Sequence, residues 1–314
     1  MRINTLARSV AALLVVVGGL SGCASPGEQP LNVTGEESVA EVTEPAVEPV
    51  APEVAAGPDE ARAELGTGKV IRIGIPFDYP GIGLMNEKTD IPSGFAVDIA
   101  AYLAWKLGYS PYDIEWVPAP TADRVPLLKL GKVDMVVAPM TITEQRAKDI
   151  VFAGPHLITG QDILVRANDT SINSKEDLSG KTLCAVPSST SLDRIIELFG
   201  DDVNMIYEKN YELCIRHVVD GDADAVSTDD AILAGHASTD EFYRLVRVLG
   251  KPFSEERYGI GLPYGSHNLC LQVNQALTDM VQDGSWKKFI DRHVAGTHFF
   301  EDRYDNPPAL DKCK

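Results

Sequence analysis

The chain is predicted to fold as two α/β lobes joined by a hinge, and three observations carry that prediction. Two segments ninety residues apart share one pattern: LLKLGKVDMVVAP (Leu127 to Pro139) and HVVDGDADAVSTD (His217 to Asp229) each give an apolar helix end, a glycine, two residues, an aspartate and a strand. Helix-type and strand-type periodicities alternate around both copies, as they do where helices cover the faces of a sheet. Two further strands, Asp162 to Arg166 and Tyr258 to Leu262, fall where the chain would leave the first lobe and return to it, and two crossings make a hinge.

Ahead of the lobes, Arg2 and Arg8 precede an apolar run from Val10 to Val17, followed by Leu20-Ser21-Gly22-Cys23. The run is too short to span a bilayer, and a small-residue cleavage site ending in cysteine is the pattern of a bacterial lipoprotein. Residues 1–22 therefore read as a signal peptide and Cys23 as the lipidated anchor, on the outer face of the cytoplasmic membrane. Residues 23–68 read as a lipid-anchored, disordered acidic tether. Ala24 to Thr67 holds ten acidic residues against one basic residue, Arg62, with almost no aromatics, so it cannot bury a core. Its charge of −9 is half of the formal net −18, and that acidity argues against nucleic acid as a partner.

Residues 69–298, roughly 230 of them, are enough for two lobes. The first strand is expected at Val70 to Ile75. A helix follows from Gly94 to Leu107 with Phe95, Ile99, Leu103 and Leu107 on one face, then a strand at Asp113 to Val117. In the first copy of the repeat Gly131 suits a helix C′ position and Val133 to Ala138 a buried strand, after which Thr143 reads as a helix N-cap. That puts Arg146 in the first turn of a helix, where the dipole disfavours a cation and an anion would offset it. A plain surface pairing with Glu144 or Asp149 is the other reading. Beyond Gly154 the pattern restarts. Strands are expected at Asp162 to Arg166 and Thr182 to Val186, a helix opens at Ser188-Ser189-Thr190-Ser191 and runs through Leu198, and the second copy places Gly221 like Gly131. Pro139 and Asp229 end the two copies. Both lie near the carboxyl end of a parallel strand, where open α/β sheets bind ligands.

After Cys23 four cysteines remain: Cys184, Cys214, Cys270 and Cys313. In an oxidising compartment an even number reads as disulfides; three connectivities are open, of which Cys184 with Cys214 and Cys270 with Cys313 keeps each bridge local. No CxxC or close Cys/His set suggests a metal. The six histidines (His156, His217, His236, His267, His293, His298) also lack metal-ligand spacing and read as surface or capping residues. No HExxH, P-loop or serine-base-acid pattern is present, so no enzyme chemistry and no cofactor are expected.

Five segments, GFAVDIAAYLAWKLG (Gly94 to Gly108), MTITEQRAKDIVFAGP (Met140 to Pro155), SINSKEDLSGKTLCAV (Ser171 to Val186), DADAVSTDDAILAG (Asp222 to Gly235) and YGIGLP (Tyr258 to Pro263), resemble in order and spacing the family 3 solute-binding proteins, the polar amino-acid receptors of bacterial ABC importers. FDYPGIGL (Phe77 to Leu84) is most like the glutamate and aspartate binders of the actinobacterial lipoprotein kind. The resemblance implies a periplasmic-binding-protein type II, or Venus-flytrap, fold with two hinge strands. Lobe I is then 69–157 and 259–298, lobe II is 160–258, and 299–314 form a C-terminal tail.

The resemblance also implies site roles. A free amino acid presents a carboxylate and an ammonium, and charge-assisted hydrogen bonds must answer both. Arg146 would clamp the α-carboxylate, with the Thr141 amide and hydroxyl beside it, and the Pro139 carbonyl would accept from the ammonium. Asp229 would pair with that ammonium from lobe II, N-capping of the next helix being the alternative, with Asp230 able to share the two roles. The helix N-terminus at Ser189, Thr190 and Ser191 favours the carboxylate. Arg124 would meet a distal carboxylate, the plain alternative being a surface pair with Asp123 or Asp149; Tyr211 could donate to the same group, and Phe77 could form an apolar wall. A first-loop arginine found in some acidic amino-acid binders is absent, with Pro76 near its place. The expected function is a lipoprotein receptor that captures glutamate, aspartate or a related polar amino acid and delivers it to an ABC permease and ATPase complex. A sensing co-receptor and, further off, a dehydratase on the same fold are the alternatives.

Overall fold

In the computed structural model, residue 65, residues 68–294, residue 304 and residues 306–313 are described. The expected signal peptide, Cys23 and nearly all of the tether lie outside them. Among the described residues no helix is long and apolar enough to cross a membrane.

In chain order the first lobe gives β1 (Ile71–Ile75), the short β2 (Asp78–Tyr79), β3 (Gly83–Asn86) and β4 (Ile91–Ser93), α1 (Phe95–Lys106), β5 (Ile114–Pro118), α2 (Arg124–Lys129), β6 (Met135–Val136) and β7 (Val151–Thr159). The second gives β8 (Gln161–Arg166), β9 (Thr182–Ala185), α3 (Thr190–Phe199), β10 (Asn204–Tyr207), α4 (Tyr211–Asp220), β11 (Ala225–Asp229), α5 (Asp230–Ala237) and β12 (Val246–Val248). The chain then returns through β13 (Glu256–Leu262) to α6 (His267–Gln282) and α7 (Ser285–His293). One sheet has the order β5-β1-β6-β13-β7 and the other β10-β9-β11-β8-β12. In each, the strands around the repeat pair in parallel and the strands near the crossing pair antiparallel. In β1 the alternate residues Ile71, Ile73 and Ile75 are wholly buried, while Arg72, near the start of the strand, is only partly covered.

The repeat has a common physical cause. Gly131 and Gly221 both hold positive φ, at 61° and 89°, which ends the preceding helix in the left-handed region that glycine tolerates. The aspartate three residues on then ties its strand to the neighbouring one. Asp134 donates its N–H to Arg72 O at 2.8 Å and accepts from Arg72 N through Oδ2 at 2.7 Å. Asp224 does the same with Thr182, at 2.7 and 2.8 Å. Each aspartate thus fixes the register in which its strand enters the sheet.

Three expectations are corrected. The strand expected at Val133 to Ala138 is ladder-paired only at Met135–Val136, although all six residues are buried. The helix expected after Thr143 is one 3-10 turn, Arg146–Lys148, because β7 starts at Val151 and leaves no length for more. Thr143 still caps that turn, its Oγ1 accepting from Arg146 N at 3.2 Å, but so short a turn has no dipole to oppose a cation. Asp162 to Arg166 lies inside the second sheet, and the crossing falls at Gly160, between β7 and β8. The hinge is the antiparallel pair of β7 and β13, which runs from Thr159 opposite Glu256 to Val151 opposite Leu262, with an irregularity between Tyr258 and Ile260.

Two disulfides are present, Cys184–Cys214 between β9 and α4 and Cys270–Cys313 between α6 and the C-terminal segment. Neither ties the first sheet to the second. His156 and His236, expected at the surface, are instead 3% and 2% exposed, and burial pushes each imidazole down to about 4, so both are neutral.

Candidate ligand-binding site

A narrow cleft lies between the two sheets, at the carboxyl ends of the repeat strands. The first lobe lines it with Tyr79, Thr121, Arg124, Pro139 and Arg146, and the second with Ser189, Thr190, Ser191, Tyr211, Thr228, Asp229 and Ile232.

Arg146 projects from the 3-10 turn and donates through Nη1 to Thr141 O at 2.8 Å. Across the cleft its Nη2 lies 3.4 Å from Ser188 O, a residue at φ 64° just before α3. It pairs with neither Glu144 nor Asp149; Asp149 takes Lys129 at 2.7 Å. Burial, then the neighbouring Arg124, pull the Arg146 guanidinium down, while Asp229, Asp193 and Glu256 oppose the shift. Two cations held this close favour an anion between them.

Thr141 faces Tyr258 in an isolated antiparallel bridge whose hydrogen bonds run from Gly259 N to Met140 O and from Ile142 N to Arg257 O. In such a wide pair the N–H and C=O of Thr141 point away from the strand partner. The carbonyl takes Arg146, and the amide is aimed on the same side. The Thr141 hydroxyl donates to Glu256 Oε2 at 2.9 Å and sits 3.4 Å from Thr190 Oγ1 of the other lobe.

Arg124 opens α2 and is 2% exposed. Its Nε donates to Ala119 O at 3.2 Å and its Nη1 to Pro139 O at 2.5 Å, while the ring of Tyr79 lies 5.8 Å from the guanidinium carbon. This excludes the surface pair with Asp123 or Asp149. The Pro139 carbonyl, expected to accept from an ammonium, also orients Arg124, and its second lone pair is left over from that bond. The remaining Arg124 nitrogen, Nη2, is buried with no hydrogen-bond partner. An unpaired buried donor on a charged group is costly, so the site stands ready for an acceptor.

On the second lobe Asp229 ends β11 and precedes α5. Its side chain makes no capping bond; Oδ2 accepts from Tyr258 OH at 2.6 Å and Oδ1 is buried without a partner. Burial pushes the carboxyl up to about 7, Glu256 and Asp230 adding to the shift, and the Tyr258 hydrogen bond and Arg146 opposing it. Asp230, next in the chain, accepts through Oδ1 from Thr159 Oγ1 at the end of β7.

Ser189 caps α3, its Oγ accepting from Leu192 N at 3.1 Å, and Ser191 Oγ is 3.1 Å from Thr228 Oγ1. The hydroxyls of Ser189 and Ser191 are thus engaged within lobe II, leaving the first-turn amides and Thr190 to face the cleft. Tyr211 lines the cavity with its ring 6.0 Å from that of Tyr79. Phe77 does not line it. It is half-buried against the core, and Tyr79, two residues on, takes the wall position.

A family description matches residues 71–296: bacterial extracellular solute-binding proteins, family 3. The chain belongs to that family. This family 3 protein is 34% identical over 246 residues to the glutamate-binding protein GluB of Corynebacterium efficiens, covering 76% of this chain and 83% of the relative. It is likewise 34% identical to a glutamine-binding protein of Geobacillus stearothermophilus, over 82% of this chain and 91% of the relative. Among solved structures, an ancestral arginine-binding protein bound to arginine superposes with a TM-score of 0.67 at 32% identity, over 73% of this chain and all of that one.

Sequence reasoning missed Tyr79, Thr121, Thr228 and the hinge pair Glu256 and Tyr258. Glu256 is 1% exposed and takes Arg194 Nη2 of α3 at 2.6 Å together with Thr141, so it braces the first-lobe wall against the second-lobe helix. YGIGLP was visible as a motif, but only the register of β13 shows its tyrosine reaching Asp229. Gly235 of α5 is a further seam, where an added Cβ would strike the Pro80 carbonyl of the other lobe.

Proposed function

We propose that this protein is the receptor of an ABC importer, capturing a free amino acid with an acidic side chain, glutamate before aspartate, and handing it to a permease and ATPase complex. One observation carries the reading: a single cavity holds an unpartnered guanidinium nitrogen, Arg124 Nη2, and an unpartnered carboxylate oxygen, Asp229 Oδ1, with Arg146 beside them. An α-amino acid is the small molecule that supplies a cation for the one and anions for the others. In this reading the α-carboxylate lies on Arg146, the Thr141 amide and the start of α3, the ammonium on Asp229, and a distal carboxylate on Arg124 Nη2. The cavity's formal charge of two arginines and one aspartate is +1, complementary to an amino acid of charge −1 and adverse to arginine. The names of the relatives, one glutamate-binding and one glutamine-binding, support a polar amino acid, and the first of them supports the acidic side chain.

The receptor is proposed to be exported by the signal peptide at 1–22 and held by a lipid on Cys23, outside the cytoplasmic membrane. Closure needs no chemistry, only a ligand that binds the closed state better than the open one, and bonds to Arg146 on one lobe and Asp229 on the other supply that difference. Deleting the gene and measuring glutamate uptake tests the transport half. Uptake should fall; unchanged uptake with an altered signalling response would replace the importer by a sensing role.

A further inference from the structure

The C-terminal segment is joined to three separate parts of the fold. Cys313 is bonded to Cys270 on α6. Asp311 donates its N–H to Gly154 O of β7 at 2.7 Å, accepts from Arg257 Nη2 of β13 at 2.8 Å, and through its carbonyl accepts from Asn274 Nδ2 of α6 at 3.0 Å. Both hinge strands are thus gripped by one residue of the tail. Nearer the lobes' junction Tyr304, 3% exposed, sets its hydroxyl 3.3 Å from Thr159 Oγ1 at the end of β7 and 3.2 Å from Asp230 Oδ1 at the start of α5. A phenol has one hydrogen to give, and Thr159 gives its own to Asp230, so both routes from Tyr304 end on that carboxylate.

Asp229 and Asp230 are consecutive, and each accepts from hydroxyls outside the second sheet: Asp229 from Tyr258 on β13, Asp230 from Thr159 and Tyr304. The tail therefore reaches across the hinge to the residue next to the proposed ammonium partner. We infer that the C-terminal segment, pinned to α6 by Cys270–Cys313, is a strap over the hinge, with Tyr304 as a positioning residue that holds the Asp229-Asp230 pair in the closed arrangement, the one in which Thr141 meets Thr190 and Arg146 meets Ser188 across the cleft. The ligand consequence rests on the proposed role of Asp229. The closure consequence rests on the contacts alone.

Hydrogen exchange of the ligand-free, full-length protein tests it, comparing wild type with Tyr304→Phe and Asp311→Ala. Both side chains lie outside the cavity, and α1 serves as a control for intact folding. The telling segment is Ser188 to Ser191, which meets Arg146 and Thr141 across the cleft and is removed from the tail. Loss of the strap should speed exchange there about threefold or more, and calorimetry should show glutamate and glutamine weakened by the same factor. Unchanged exchange at that rim in both variants, with change confined to the tail and β7, would overturn the strap and leave Tyr304 as packing. If wild type binds no amino acid, the proposed function fails, and the exchange comparison still decides the strap.

Discussion

The two copies of the Gly-x-x-Asp-strand unit behave alike at their amino ends and oppositely at their carboxyl ends. Asp134 and Asp224 each close the same two-bond ring with a neighbouring strand, differing by no more than 0.1 Å in matching bonds. Five residues further on the copies part. Pro139 can offer only a carbonyl, which accepts from Arg124, whereas Asp229 offers a carboxylate with one oxygen unpartnered. The common half of the unit builds a sheet, and the divergent half sets the sign of charge that each lobe brings to the cleft. In the cleft the first lobe brings two guanidinium groups and the second one carboxylate, the pair of charges that the proposed amino acid would bridge.

Substitutions at the cleft should break this contrast most strongly. Arg146→Ala removes the cation that faces the second lobe, and calorimetry should show binding weaker by about 3–5 kcal/mol, as when one partner of a buried charge pair is lost. Asp229→Asn keeps the shape and removes the charge, and should weaken every amino acid by about 1.5–3 kcal/mol, the worth of a charge-assisted hydrogen bond. Arg124→Ala should separate ligands rather than weaken all of them, with glutamate losing roughly tenfold or more beyond glutamine. Equal losses for the two would remove Arg124 from the specificity site.

The pH dependence sharpens the comparison further. An ammonium beside Asp229 favours its ionised form, so the bound state has a lower pKa than the free state, where burial pushes it up to about 7. Binding then expels a proton below that point. Affinity should be full above about pH 7 and fall by up to about tenfold per unit as the pH drops below it, a slope that Asp229→Asn should abolish. The smallest effect is expected at the shared half. Asp224→Ala should lower stability by about 1–3 kcal/mol in thermal or denaturant melts, with ligand affinity unchanged.

Much of the fold was legible because its signals are local. The repeat, the caps at Gly131 and Gly221 and the alternating isoleucines of β1 each follow from a few neighbouring residues. Of the hinge, the returning strand at Tyr258 to Leu262 was legible and the outgoing β7 was not, since β7 carries Gly154 and Pro155 among its apolar residues and declares itself a strand only by pairing with β13, about a hundred residues away. The site divides the same way. Asp229 and Arg124 stand out as charges beside apolar runs, and Arg146 as a cation just after a buried strand. Tyr79, Tyr258 and Glu256 read as ordinary strand residues until the register brings them to the cleft, and Phe77 precedes the short strand Asp78–Tyr79 that carries Tyr79 to the cavity. The neutral, buried His156 and His236 carry no sequence signal that distinguishes them from surface histidines.

The proposal that opposite charges on the two lobes select an acidic amino acid is tested most directly by calorimetric titration of the wild-type protein at pH 7.5 with glutamate, aspartate, glutamine and arginine. Glutamate should bind most tightly, glutamine more weakly and arginine least. A preference for arginine, or binding of none of the four, would contradict it.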